Sequence, residues 1–306
     1  MPTTSELYGW NCITLKSGHA SLAIPTEIGP RVVACSIDGG ANLFHSVKEE
    51  RGGSGEAEWL LRGGHRLWHS PEIKPRTYDP DNVAIQIADM DDGKELLLEA
   101  PRPDPSGLHK SIQIAALGAE TFKLTHRIRN TLQWPVQCAP WALTVMERGG
   151  YSTVPLLPKG NHETDLLPNY SMVPWTYTDF SRPEWEFHPD FIGIDSSKAK
   201  VPQKLGLTNY PGWAAYWQEA GTFVKAASVD PRKTYPDFGC VYETFCNDFM
   251  IELETLGPLV TIQPGASVEH VEFWGVFAGL PKPDTDQVYN DEFRPIIEGW
   301  RADLIS

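Results

Sequence analysis

Phe249-Met250-Ile251-Glu252-Leu253-Glu254-Thr255-Leu256-Gly257-Pro258 is the stretch on which the reading of this chain turns. Ile251 and Leu253 alternate with Glu252 and Glu254, which is the period-two pattern of a β-strand. Asn247-Asp248 precede the run and Gly257-Pro258 follow it, both turn-forming pairs. Such a strand shows one apolar face and one face carrying two carboxylates. Like charges on one face repel, and that repulsion can lift one carboxyl toward the range useful for acid–base work. A solvated face on an edge strand accounts for the same pattern.

The rhythm repeats along the whole chain. Short alternating runs fall at 20–24, 31–37, 83–87, 95–99, 111–115, 121–129, 141–146, 222–228 and 270–276. Asp38-Gly39-Gly40, Asp91-Asp92-Gly93, Asn130-Thr131 and Gly149-Gly150 punctuate them as turns. With 26 glycines and 26 prolines, helices cannot dominate. In 121–129, Phe122, Leu124, His126 and Ile128 share one face, so His126 reads as a packed core histidine. Residues 290–305 form the expected terminal helix, with Phe293, Ile296, Ile297 and Trp300 packing on the body. Residues 48–80 and 155–213 lack periodicity and read as long loops on a β scaffold. No shift in composition marks a boundary, so one all-β domain spanning 1–306, with few short helices, is expected.

Composition narrows the function. The 306 residues carry a formal net charge of −14, which leaves no basic excess for a nucleic-acid backbone. No apolar run is long enough to span a membrane, and 1–10 has neither a basic nor an apolar leader segment. Five scattered cysteines without a C-x-x-C pair fit reduced, buried thiols, so a cytoplasmic location is expected. Eleven tryptophans suit a surface that stacks on flat apolar faces such as sugar rings.

Nucleotide-binding glycine loops and a G-x-S-x-G nucleophile are absent, so no cofactor is expected. His65, His69 and Glu72 lie close in sequence, as metal ligands can, but match no specific metal pattern, and no metal is expected. Alternatively, Gly63-Gly64 turn the backbone and present His65 and Arg66 to a pocket. Glu254 could then act as a general base with a histidine of the 63–72 loop as acid.

The chain resembles the galactose mutarotase (aldose 1-epimerase-like) superfamily over roughly 20–277. The resemblance rests on Glu27-Ile28-Gly29-Pro30-Arg31, Gly39-Gly40-Ala41-Asn42-Leu43-Phe44, Leu61-Arg62-Gly63-Gly64-His65-Arg66-Leu67-Trp68, Leu124 to Thr131, and Leu253-Glu254-Thr255-Leu256-Gly257-Pro258. It implies a super-sandwich of large antiparallel sheets with a sugar on the concave face. It also implies that Glu254 takes the proton of the anomeric hydroxyl while a histidine protonates the ring oxygen, the ring opening and closing as the other anomer. By position, Arg66 and Asn42 are expected to contact hydroxyls and Trp68 to form a stacking wall. Trp141 stands near the place where the family carries a histidine. His65 could replace that acid, or the protein is a non-catalytic sugar-binding relative. Lys204, Lys225 and Arg232 are the cations available to a sugar phosphate.

Overall fold

A computed structural model describes residues 3–208 and 211–305. Three antiparallel sheets account for most of the regular structure of the described residues. A four-stranded sheet is built from Thr3–Leu7, Trp10–Ser17, Ala20–Pro25 and Ala34–Ile37. An eight-stranded sheet runs, in spatial order, Met172–Pro174, Gln203–Leu207, Tyr242–Cys246, Met250–Leu256, Val136–Glu147, Gly64–Ser70 and Arg31–Val32, with Val260–Ile262 on the far end of Val136–Glu147. A ten-stranded sheet packs against it, centred on Gly221–Ala227, Ser267–Phe277 and Thr121–Asn130. The expected super-sandwich is what forms.

The core between the large sheets is continuous. Leu67, Leu205, Ile251 and Leu253 from one sheet join Ile112, Leu124, Phe223 and Trp274 from the other in a single apolar cluster. These are inward members of alternating strands, as the sequence pattern requires. A polar network runs through the same layer. Lys225 Nζ lies 3.0 Å from Glu272 and crosses to the other sheet, where it donates to the carbonyls of Ala142 at 2.8 Å and Leu253 at 3.1 Å. Thr255 Oγ1 lies 2.7 Å from His270 Nε2, and His65 Nε2 lies 2.7 Å from His126 Nε2. His126 is buried, as expected.

Several elements depart from the pattern reading. The segment 31–37 divides at Val33: Arg31–Val32 pairs with Gly64–Ser70, and Ala34–Ile37 pairs with Ala20–Pro25. The run placed at 83–87 forms its strand slightly later, at Gln86–Asp89. Gly64–Ser70 is a strand inside a segment that reads as loop, and all seven of its residues are buried. Because both of its faces are covered, His65 and Arg66 need no apolar–polar alternation between them. The glycines before it are demanded by space. Gly63 and Gly64 take φ of +89° and +70°, and a Cβ there would sit 2.1 Å from the His45 carbonyl oxygen and 2.2 Å from that of Val32. The long 155–213 segment likewise holds short strands, including Phe191–Asp195 and Gln203–Leu207.

Met250–Leu256 is an interior strand with every residue buried, so its carboxylate face is not the solvated face of an edge. The helical end starts earlier than expected, at Asp286, where Thr285 Oγ1 accepts from the Val288 amide at 3.2 Å. A π-turn at Tyr289–Phe293 leads into Arg294–Ile305. Phe293 and Ile297 pack with Tyr151, Phe191 and Trp213, whereas Ile296 faces outward. All five cysteines are free and buried.

Burial holds four histidines neutral. It pushes His270 and His69 down to about 3 and lowers His65 and His126, with the Lys225 and Lys110 ammoniums adding to the effect. The unfolded chain therefore binds protons below pH ~6.5 that the fold does not, so stability falls as pH falls from there toward 3, by up to about 1.4 kcal/mol per histidine per pH unit. Three acids work in the opposite sense, Glu243 pushed up to about 8 and Glu252 and Asp79 also raised by burial, against the four histidines. Urea denaturation should give a lower midpoint at pH 5.0 than at pH 7.5. Equal midpoints would mean that the histidines do not outweigh the raised acids across this range.

Candidate functional site

Strand register assembles a row of chemistry on the outer face of the eight-stranded sheet. Arg66, Leu143, Glu254 and Glu243 are successive cross-strand partners, and Trp68, Trp141 and Leu256 form the next row. Residues two apart on a strand share a face, so Glu252 joins Glu254, and Lys204 enters opposite Phe245. Loops bring Trp59, Tyr78, Trp175 and Tyr177 over this floor. The result is a cleft in two lobes of about 310 and 340 Å³, which share Glu72, Tyr78 and Trp141 as their partition.

The charges in the floor are matched at close range. Arg66 Nη2 donates to Glu252 at 3.0 Å, and its guanidinium stacks 4.4 Å from the Trp68 ring centre. Lys204 Nζ lies 2.9 Å from Glu254 Oε2 and 2.8 Å from Glu243 Oε2, between the rings of Trp141 and Trp175 at 4.6 and 4.8 Å. Trp141 Nε1 donates to the same Glu254 oxygen at 2.8 Å. Other polar atoms of the floor have no protein partner although buried: Arg66 Nε and Nη1, Glu254 Oε1, Glu243 Oε1 and Trp59 Nε1. Buried polar groups are seldom left so, and a cluster of them beside a cleft suits a polar ligand.

Burial raises Glu243 to about 8, helped by the neighbouring Glu254 and Asp237 charges and opposed by Lys204. Burial also raises Glu252, against the pull of Arg66. Burial alone would lower Lys204, but Glu254 and Glu243 outweigh it and hold the ammonium well above its ordinary range. Lys204 is thus a fixed positive charge.

Of the residues expected at the site, Glu254, Arg66, Trp68 and Trp141 come together. Glu254 is wholly buried and borders neither lobe, while Glu252, Arg66 and Lys204 do. His65 does not join them. It is one residue from Arg66 on the same strand, so it points to the opposite face, where its Nδ1 lies 2.9 Å from Thr144 Oγ1. Asn42 is also elsewhere: Oδ1 accepts from the amides of Cys35 at 3.0 Å and Phe44 at 2.9 Å, and Nδ2 donates to the Val33 carbonyl at 3.1 Å, which fixes a turn. His69 is sealed on the inner face, far in orientation from Glu72 in the cleft. The His65, His126 and Glu272 ligand atoms do lie within 4.8 Å of one another, but the Lys225 ammonium already neutralises that carboxylate. Lys225 is buried between the sheets and Arg232 pairs with Asp230, so the three cations available to a phosphate do not converge. Lys204 and Glu243 are cleft residues that pattern reading did not bring together as a pair. The alternation of Lys204 with Gln203 and Leu205 was their only local signal.

Neither a protein-family model nor a curated protein matches the sequence. Solved structures do match the fold. A galactose mutarotase-like protein from Lactobacillus casei ATCC 334 superposes with a TM-score of 0.59 at 8% identity, covering 87% of this chain and 99% of that one. Another, from Clostridium acetobutylicum, gives 0.54 at 10%, covering 91% and 99%. A candidate aldose 1-epimerase from Escherichia coli K12 gives 0.55 at 14%, covering 89% and 100%. The fold is galactose mutarotase-like. In this mutarotase-like sandwich no histidine borders the cleft among the described residues, and its charged floor is built from Arg66, Lys204 and three glutamates.

Lys204 is the charge on which that floor depends. Lys204→Met leaves Glu254 and Glu243 buried side by side without a cation, a change that typically costs about 3 kcal/mol or more. Denaturant unfolding at pH 8 should show that loss, and it should shrink near pH 5 as the acids take up protons.

Proposed function

We propose that this protein binds an aldose in the two-lobed cleft and interconverts its anomers, with Glu254 as the base. The observation that carries the reading is the set of unpartnered donors and acceptors lying between tryptophan rings on the sheet face of a mutarotase-like sandwich. Sugar hydroxyls are both donors and acceptors, and sugar ring faces stack on indole. Lys204 and Trp141 hold Glu254 Oε2, which leaves Oε1 as the oxygen free to accept a proton. In this reading Trp141 shifts on sugar entry to admit the anomeric hydroxyl. Glu254 takes the O1 proton, the C1–O5 bond opens as O5 is protonated, the C1–C2 bond rotates, and closure returns the other anomer.

A second reading is a non-catalytic sugar-binding protein. It is favoured by the sealing of Glu254 beneath Trp141 and Lys204, two donors that engage its carboxylate.

Saturation-transfer NMR of anomeric protons across common aldoses, with titration calorimetry in parallel, separates the two. The isomerase reading expects accelerated exchange, lowered about 10²–10⁴-fold in Glu254→Gln with binding retained. Binding without acceleration supports the second reading. Absence of binding to any aldose would sink both. Trp68→Ala should weaken binding in either case, because it removes a stacking wall.

A further inference from the structure

Resting on the isomerase reading above, we propose that Glu243 is the proton donor to the ring oxygen, taking the place of the histidine that this cleft lacks. Geometry is the first support. In the anomeric reaction the acceptor works on O1 and the donor on O5, two oxygens bonded to the same carbon. Donor and acceptor must therefore sit close together on one side of the floor. Glu243 and Glu254 are directly opposite on adjacent antiparallel strands and share one face. Side chains so placed start only ~5 Å apart at Cβ. Both carboxylates touch the same Lys204 ammonium, at 2.8 and 2.9 Å, and each keeps one oxygen with no protein partner. Glu243 borders the lobe that holds Trp175 and Asp237.

Elimination is the second support. The histidines of the sandwich interior point away from the cleft. Lys204 is held too firmly charged to give up its proton near neutrality. Tyr177 and Tyr78 border the cleft, but burial raises both phenols further above their ordinary range. Glu252 is engaged by Arg66, Glu72 accepts from the Tyr78 hydroxyl, and Asp237 accepts from Ser70 Oγ. The groups facing Glu243 are Lys204 from one neighbouring strand, Glu254 from the other, and Asp237 and Cys240 from the preceding loop. Their balance, with burial, leaves its carboxyl protonated up to about pH 8.

The step balances without any co-reactant. The O1 proton passes to Glu254 as C1=O1 forms. The C1–O5 pair moves onto O5, which takes the Glu243 proton. Closure runs both transfers backwards after rotation. Lys204 stabilises whichever carboxylate is charged at each stage.

The full-length protein, Glu243→Gln and Glu254→Gln are compared by exchange NMR between pH 5 and 9.5, with calorimetry for aldose binding. Wild type should lose activity as pH rises through about 8, as expected of an acid that must be protonated. Glu243→Gln should bind aldose within about threefold of wild type yet exchange anomers ~100-fold more slowly, with that alkaline limb gone from the residual rate. Full rate and an unchanged pH profile in Glu243→Gln would overturn the assignment while leaving the isomerase reading intact. Wild type inert on every aldose fails the isomerase reading itself. Should Glu243→Gln not fold, carbonyl NMR of glutamate-labelled wild type takes its place. One carboxyl should titrate between pH 7 and 9, and none doing so overturns the proposal.

Discussion

Lys225 is the fixed point of this structure. Its ammonium is sealed between the two large sheets, paired with Glu272 on its own sheet and bonded to the carbonyls of Ala142 and Leu253 on the other. A buried charge must be paired and hydrogen-bonded or it costs several kcal/mol. The two strands that supply those carbonyls are therefore held in one register against the opposite sheet. The same strands carry Trp141 and Glu254 on their outer faces. A polar contact on the inside of the sheet thus sets where the groups on the outside meet. Thr255, His270, His65 and His126 extend that layer, and burial, helped by the Lys225 ammonium, holds the three imidazoles neutral.

The outer face obeys the same rule less completely. Arg66 pairs with Glu252, and Lys204 pairs with Glu254 and with Glu243, whose carboxyl burial keeps protonated up to about pH 8, so two cations face two carboxylates. Five buried polar atoms nevertheless remain without a protein partner. Others lie elsewhere in the fold, both ring nitrogens of His69 among them, but those of the cleft stand together beside aromatic rings. Stability would be served by satisfying them, and a polar ligand can do so only if they are left open.

Much of the architecture was legible in the sequence. Alternation at 121–129 and 249–256 gave strands with the correct inward residues, and a terminal helix was expected over 290–305, although the helical end begins at Asp286. The Gly64–Ser70 strand was not legible, because a strand covered on both faces has no amphipathic signal. His65 was misplaced for a related reason. Motif proximity grouped it with Arg66, but adjacent residues on a strand face opposite ways.

What the sequence determined by itself was the all-β class, the turn positions, the core faces of the alternating strands and the candidacy of Glu254. These follow from local sterics and periodicity, which neighbouring residues fix among themselves. Only the tertiary structure decided that the Glu252–Glu254 face is buried, that Lys204 stands between Glu254 and Glu243, and that His65 belongs to the interior. Those facts depend on strand order and cross-strand register. Residues far apart in the chain become neighbours there through backbone pairing, which no local pattern encodes.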